Sequence, residues 1–392
     1  MVRLTFKSQK STVNSLWSEV CGLWTKKGFS LVEVLVVLSL MALLVLFLGS
    51  KIRNVDTEDK FYKTCHIMEE IKEAIIGKPG LYCNGIRQFT GYVSDMGVLP
   101  DLFDENGKKV EYNGQPRALW TSDIDGDGND DLPEWKYYGE AKIWARWKGP
   151  YIDPPPDGIL RDAWGNPFVF IIGELVTYNE KTFRCIKTHD CTAHEPHEPG
   201  DSNYWEELKD SNGNPIHISA KPWFDPNEVD PKTKKVIDRF YADALEIVSY
   251  GKNGKPGGKG LDKDLVLTIY KQEWTGEVAG HAGYKGNPYV GRVTLHYPEK
   301  EEVKTASIEI VDNDHGYGIN FRFGIACEND DPNCKIDCDY SEPGYICNYT
   351  NFKKVAIPIG IRSITTDTGK IYIFPVEATG NWIGTIIEDK HR

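Results

Sequence analysis

Residues 29–48 read Phe-Ser-Leu-Val-Glu-Val-Leu-Val-Val-Leu-Ser-Leu-Met-Ala-Leu-Leu-Val-Leu-Phe-Leu, apolar throughout except for two serines and one carboxylate, Glu33. At 1.5 Å of rise per residue, a helix over this run extends about 30 Å, the thickness of a bilayer's hydrocarbon core. An ionisable group at the centre of such a helix costs about 2.5–3.5 kcal/mol, and less toward an end. A plain membrane anchor gains nothing from Glu33. A helix that leaves the membrane to pack beside copies of itself does gain, because the carboxylate can meet a cation on a neighbour. The basic pair Lys26-Lys27 and then Gly28 precede the run. From the residues alone, a signal anchor and a secretory signal peptide are alternative readings. The second fits poorly, since a cleavable apolar region is usually about 7–15 residues long with a small-residue site after it.

The helix is expected to continue beyond the apolar run. Past Lys51 the pattern turns amphipathic, with Phe61, Cys65, Met68, Ile71 and Ile75 on one helical stripe and no Gly or Pro between Lys51 and Ile76. Gly77-Lys-Pro-Gly80 ends it, because proline removes a donor and glycine accepts the left-handed cap. A long helix over 29–78 follows, apolar all round at first (29–48, transmembrane) and then with one face for a globular head.

Lys26-Lys27-Gly28-Phe29-Ser30-Leu31-Val32-Glu33 resembles the processing site of type IV prepilins and type II secretion pseudopilins. That family has a basic leader ending in glycine, an aromatic residue at the new N-terminus, and glutamate as the fifth mature residue. The resemblance implies a leader over 1–28, cleavage by a prepilin peptidase between Gly28 and Phe29, and methylation of the Phe29 amine. It also implies that Glu33 pairs with the Phe29 amine of an adjacent subunit during assembly.

The formal charge is −12, and the leader holds Arg3, Lys7, Lys10, Lys26 and Lys27 against Glu19, which puts the remainder near −16. That balance argues against a nucleic-acid partner and for a cation-binding or freely soluble exterior. Of nine cysteines, Cys21 lies in the leader, leaving Cys65, Cys83, Cys185, Cys191, Cys327, Cys334, Cys338 and Cys347. An even set in an exported chain reads as disulfides. Sequence proximity suggests Cys65 with Cys83, Cys185 with Cys191, and two bonds within the last four. A zinc site on those last four is the competing idea, weakened by the lack of a CxxC pair.

Residues 79–172 and 241–277 are expected to form the head. Trp147-Lys-Gly-Pro-Tyr-Ile152, Arg161-Asp-Ala-Trp-Gly-Asn-Pro-Phe168 and the stretch Glu246–Asp264, which ends in a glycine-rich loop, occur in an order similar to the globular domain of the major pseudopilin of type II secretion. The resemblance implies a small antiparallel sheet closed by a calcium loop. The chain departs from that family by an insertion over 173–240 and an extension over 278–392. Within the insertion, Tyr178-Asn-Glu-Lys-Thr-Phe-Arg-Cys185 and Tyr204-Trp205 resemble the small carbohydrate-binding module attached to chitinases and cellulases. Aromatic faces stack on sugar rings, so Tyr178, Tyr204 and Trp205 are candidates for binding polysaccharide. They are equally the residues from which so small a module would build its own core. The extension shows repeated short alternating runs separated by turn residues, which predicts an antiparallel β-sandwich.

Asp123-Ile-Asp-Gly-Asp-Gly-Asn-Asp-Asp-Leu-Pro-Glu134 fits the calcium-loop template D-x-[DN]-x-[DN]-G-x5-E. The template assigns ligands to Asp123, Asp125, Asp127, the carbonyl of Asn129, Asp131 and Glu134, with Gly128 at the sharp turn. The flanks look β-like, so an isolated loop is expected and not a helix pair. In the glycine-rich stretch the resemblance implies Ca2+ ligands at Asn253, Asp262 and Asp264, with Asn253 standing where the family has aspartate. His189, His194 and His197 beside Asp190 and Glu195 are too loosely spaced for a convincing zinc site. No G-x-S-x-G, H-E-x-x-H or phosphate-binding glycine loop occurs, so an enzyme is not expected.

The sequence thus predicts an α+β protein: a long N-terminal transmembrane and assembly helix, a pilin-like head with a small antiparallel sheet, an inserted small β module and a C-terminal β-sandwich. The expected role is a calcium-stabilised structural subunit of a type IV pilus-like or pseudopilus-like filament. Its expected partners are copies of itself, the prepilin peptidase and the assembly machinery. It would sit in the inner membrane first and in a periplasmic or extracellular filament afterwards. The alternative is a low-abundance minor pilin or tip adhesin that binds carbohydrate.

Overall fold

The computed structural model describes residues 31–83, 86–191, 197–210, 212–223, 238–282, 290–311, 319–322, 335–339, 346–350, 357–378 and 381–386. The chain divides into two units, with the boundary between Asp59 and Lys60.

The first unit contains the start of the helix Leu31–Ile76. Leucine, methionine and alanine lose little rotamer freedom in a helix, and no glycine or proline interrupts Leu31–Leu48. From Leu31 to Leu44 every side chain is exposed, which leaves an apolar surface all round. The Ser39 hydroxyl donates to the Val36 carbonyl at 2.8 Å, a bond that satisfies it without water. Among the described residues no helix is long and apolar enough to cross a membrane. The expected span over 29–48 falls partly outside the described residues.

In the second unit the helix becomes one-sided. Met68, Ile71 and Ile75 are buried in a core with Leu119, Phe168, Phe170, Leu245, Ile247 and Trp274. The helix stops at Gly77, whose φ of 84° is the left-handed cap and whose N–H reaches the Glu73 carbonyl at 2.8 Å. A Cβ there would lie 2.0 Å from the Thr90 carbonyl oxygen, so the turn requires glycine.

The helix packs on a four-stranded antiparallel sheet ordered Leu265–Ile269, Leu245–Ser249, Val169–Ile172, Tyr112–Gly114. This sheet draws strands from both stretches expected to form the head. The insertion forms a second sheet, in which Lys181–Cys185 pairs antiparallel with Leu175–Tyr178 and with Trp205–Glu207. Asn179 and Glu180 both have positive φ, as a two-residue hairpin turn that follows the strand twist requires.

The C-terminal stretch contributes an antiparallel sheet ordered Glu302–Val311, Val290–Glu299, Gly360–Thr366, Ile371–Val376. The purely antiparallel expectation needs correction in a second sheet. There Val278–Ala282 pairs antiparallel with Ile319–Arg322 but parallel with Asn381–Ile386. Val278–Ala282 and Asn381–Ile386 are joined by a long connection and not by a hairpin, so no tight turn forces them antiparallel. This stretch is also tied into the head. Ile359 joins the helix-and-sheet core. Arg362, 1% exposed, donates from Nε to the Pro358 carbonyl at 2.9 Å and from Nη1 to the Ile361 and Ser94 carbonyls at 2.9 and 3.2 Å. Its Nη2 donates to the Ile359 carbonyl.

Candidate metal centre and processing segment

Ile124 fixes the acidic loop. It is buried between two acids, Asp123 and Asp125, and its carbonyl accepts the Arg117 guanidinium at 2.8 Å. Asp131 and Leu132 close the loop through N–H donation to the Ser122 carbonyl at 2.9 and 3.1 Å. Asp123, Asp125 and Asp131 each then offer a carboxylate oxygen, all within 4.8 Å of one another. At that separation each charge pair repels by about 1 kcal/mol in water and by about 3–4 kcal/mol at an effective dielectric of 20. Among the described residues none of these three acids is ion-paired with Lys or Arg. What holds the carboxylates in place is backbone. Asp123 accepts the Gly126 and Gly128 N–H groups at 2.7 and 2.9 Å, and Asp131 accepts those of Ile124 and Asp125 at 2.7 and 3.2 Å. Gly126 and Gly128 have φ of 82° and 89°. An all-oxygen donor set of this kind suits a hard cation such as Ca2+.

The structure brings together only part of the expected ligand set. Asp127 turns to Asn129, accepting its N–H at 2.8 Å and its Nδ2 at 3.0 Å, and those donors hold the Asp127 carboxyl below its usual range. Glu134 is exposed, and its backbone bridges Trp147. The template spacing places position 12 on a following helix, whereas here the chain enters the strand Lys136–Tyr138.

The glycine-rich stretch holds a different arrangement. Asn253 Oδ1 accepts the Lys255 N–H at 2.8 Å, so it serves its own turn. Asp264 is 3% exposed, its Oδ2 accepting Ser219 and Gly257 N–H groups at 2.7 Å each while Oδ1 is buried without a partner. Burial pushes its carboxyl upward. Asp262 and Asp264 are not part of a three-acid cluster among the described residues. The orphaned Asp264 oxygen is the feature here that a cation would satisfy. The Asp162–Asn166 turn is joined to this loop, since Asn166 Nδ2 donates to the Gly251 carbonyl at 2.8 Å and Ser249 Oγ to Asp162 at 2.7 Å.

Of the aromatic residues singled out in the insertion, Trp205 is core and Tyr178 and Tyr204 flank it. Trp205 is 2% exposed in a cluster with Val176, Phe183, Trp223 and Phe240, and its Nε1 donates to the His197 carbonyl at 2.7 Å. Tyr178 and Tyr204 pack against the same cluster. His197 stacks on Tyr204 with ring centroids 3.7 Å apart. A module this small has few other side chains from which to build an interior, and Trp205 fills it while Tyr178 and Tyr204 lie half-buried at its edge. His194 and Glu195 lie outside the described residues.

The cysteine pairing is corrected at one position. Cys65 is a free thiol on the helix, pushed upward by burial, so the proximity pairing with Cys83 is not formed. Eleven residues, about 16 Å of helical rise, separate Cys65 from the helix end at Ile76. Cys83 lies beyond that end, in a strand pairing with Ile86–Arg87. Cys185 is buried, with Sγ 3.2 Å from the Lys187 carbonyl. The side chain of Cys191, and Cys327 and Cys334 entirely, lie outside the described residues. Cys338 stands directly opposite Cys347 in the register of Lys335–Asp339 with Ile346–Thr350.

A buried polar network not anticipated from the sequence joins insertion and head. Glu246 accepts the Leu175 N–H at 3.0 Å and the Thr268 hydroxyl at 2.7 Å. Beside it Glu174 pairs with Lys221 Nζ at 2.5 Å and accepts the Tyr270 hydroxyl at 3.2 Å. Burial, with the nearby Glu174 charge adding to it, pushes Glu246 up to about 7. The available signal was an acid inside the apolar run Leu245-Glu-Ile-Val248.

Gly28 and Phe29 lie outside the described residues. Glu33 sits in the first turn of the helix Leu31–Ile76, on its exposed surface. No curated protein and no solved structure matches the chain. A family model described as the prokaryotic N-terminal methylation motif matches residues 25–49. The chain therefore carries that motif across Gly28, Phe29 and Glu33, and the motif fits a prepilin-like subunit processed for pilus or pseudopilus assembly.

Proposed function

We propose that this chain is a structural filament subunit, cut between Gly28 and Phe29 by a prepilin peptidase and methylated on the Phe29 amine. The observation that carries the reading is the methylation motif leading into an uninterrupted helix with Glu33 in its first turn. Before assembly residues 29–48 would hold the precursor in the inner membrane. Afterwards the same apolar surface would be buried among neighbouring helices, which drives polymerisation. Glu33 would meet the Phe29 amine of the next subunit, neutralising a charge that is costly in an apolar bundle and fixing register. Repeating one such head-to-tail contact generates an open helical polymer.

Calcium would bind after export at Asp123, Asp125 and Asp131, relieving their mutual repulsion, with Asp264 the anchor of a second site. Cys338 and Cys347, opposite each other in their strand register, would close a disulfide in the same compartment. The role is structural and requires no catalytic step.

The test is Glu33→Ala. Precursor should accumulate in the membrane fraction at normal level while sheared filament is lost. Undiminished filament would overturn the reading. A low-abundance minor pilin or tip adhesin that binds carbohydrate is the second reading, favoured by the exposed rings of Tyr137 and Trp144, 5.5 Å apart on one hairpin. Copy number separates the two, since a repeating subunit dominates sheared material and an adhesin is rare in it.

A further inference from the structure

The loop between the paired strands Leu245–Ser249 and Leu265–Ile269 carries a dense run of positive charge. Lys252, Lys255, Lys259 and Lys263 are all exposed there, and the half-buried Asp262 is the one acid on its surface. Among the described residues no salt bridge occupies any of the four lysines. The loop is built as a platform and not as a tether. Asn166 Nδ2 donates to the Gly251 carbonyl at 2.8 Å, the Lys255 N–H to Asn253 Oδ1 at 2.8 Å, and the Gly257 N–H to the buried Asp264 at 2.7 Å. Gly258 has φ of 115°, and a Cβ there would lie 2.2 Å from the Asp262 carbonyl oxygen. The lysine stems therefore spring from a fixed backbone, so binding through them orders side chains only.

We propose that this basic loop docks on a second copy of the chain, against its acidic loop Asp123–Glu134, as a contact between filament subunits. The proposal rests on the filament reading. Charge complementarity selects the occupant. The acidic loop carries Asp123, Asp125, Asp127, Asp130, Asp131 and Glu134 with no basic residue among them, and all but the half-buried Asp123 are exposed. Six carboxylates less the two charges of a bound Ca2+ leave four, the number of lysines on the basic loop. The two loops are different patches of one head, so pairing them is head-to-tail. Each copy then keeps one loop free for the next, and no closed dimer results. Copies of formal charge −12 repel one another at large, and a local pairing of opposite charge offsets that repulsion where the heads meet. An anionic lipid surface would attract the lysines as well, but it would repel the acidic loop carried by the same head.

The test is zero-length carbodiimide cross-linking of filaments sheared from cells that carry the full-length chain, followed by peptide mapping of the dimer band. A carbodiimide joins only an amine and a carboxylate already in contact. The expected product joins a lysine of 252–263 to an acid of 123–134. Lys255→Glu with Lys259→Glu should cut its yield about tenfold. Adding Asp127→Lys with Asp130→Lys in the same chain should restore it. All four positions are exposed and lie outside the three converging acids, so neither the fold nor the metal centre is at stake. Filaments whose cross-linked dimers join other segments would overturn the proposal and leave the filament reading standing. So would the expected pair confined to the monomer band, or a yield that the charge swap fails to restore. Lysine-dependent sedimentation with phosphatidylglycerol vesicles, without the pair, would assign the loop to lipid and equally overturn it. A parent chain that forms no filament at all would refute the filament reading, and this contact with it.

Discussion

Replacing Glu246 by glutamine should make the head more stable at alkaline pH and leave it unchanged at acid pH. The carboxyl is 1% exposed and lies in the second strand of the head sheet, accepting the Leu175 N–H and the Thr268 hydroxyl. The groups around it are the carboxylate of Glu174, the ammonium of Lys221 and the hydroxyl of Tyr270. Desolvation raises Glu246 from its ordinary 4.5 to about 7. The folded state therefore keeps a proton that the unfolded chain releases near 4.5. Stability from the neutral carboxyl is full below 4.5, falls as pH rises toward about 7, and is constant above that. At 1.36 kcal/mol per pH unit the total is about 3 kcal/mol. A glutamine can keep both bonds, its oxygen toward Leu175 and its amide toward Thr268, without ever ionising. Urea unfolding of the Lys60–Arg392 unit, followed by tryptophan fluorescence at intervals between pH 4.5 and 8.5, reads the difference directly. The variant's advantage should grow from near zero to about 3 kcal/mol across that range. Asp95, raised by burial to about 6, tilts both proteins alike and cancels in the difference. A difference that stays flat with pH, or a variant weaker than the parent at pH 8, would refute the reasoning.

Calcium at 1 mM should raise the thermal midpoint relative to chelator by an amount equivalent to about 1–1.5 kcal/mol, given a dissociation constant near 0.1 mM. Asp125→Asn or Asp131→Asn should abolish most of that response, and an unchanged midpoint in the parent would remove calcium from the account. Arg362→Met deletes four donations to backbone carbonyls, three of them buried, and should cost about 3–5 kcal/mol in urea unfolding. Arg362→Lys should restore little, because a single ammonium cannot reproduce the fork. Non-reducing peptide mapping should recover a peptide pair joined through Cys338 and Cys347, which face each other across their strand pair. Recovery of both as free thiols would contradict that assignment.

What could be read from the sequence was largely local. The helix end at Gly77 followed from a glycine that only a left-handed cap explains, and the stripe through Met68, Ile71 and Ile75 marked the face that meets the head. The acidic loop declared itself by spacing, yet spacing could not place Asp127 and Glu134. Their template presumes a following helix, and here a β hairpin redirects the chain. Aromatic residues were ambiguous for a different reason. Trp205 and Trp144 are the same residue type in similar surroundings, and only the fold decides that one fills an interior while the other lies open. Cys65 misled because sequence proximity ignores the rigid helix between it and the next turn. Glu246 was out of reach, since its partners Leu175 and Thr268 come from distant parts of the chain.

Intact and N-terminal peptide mass spectrometry of the protein recovered from its host bears most directly on whether this is a processed filament subunit. The account predicts a chain starting at Phe29 and carrying one added methyl group on its amine. A chain still beginning at Met1, or one cut elsewhere and unmethylated, would contradict it.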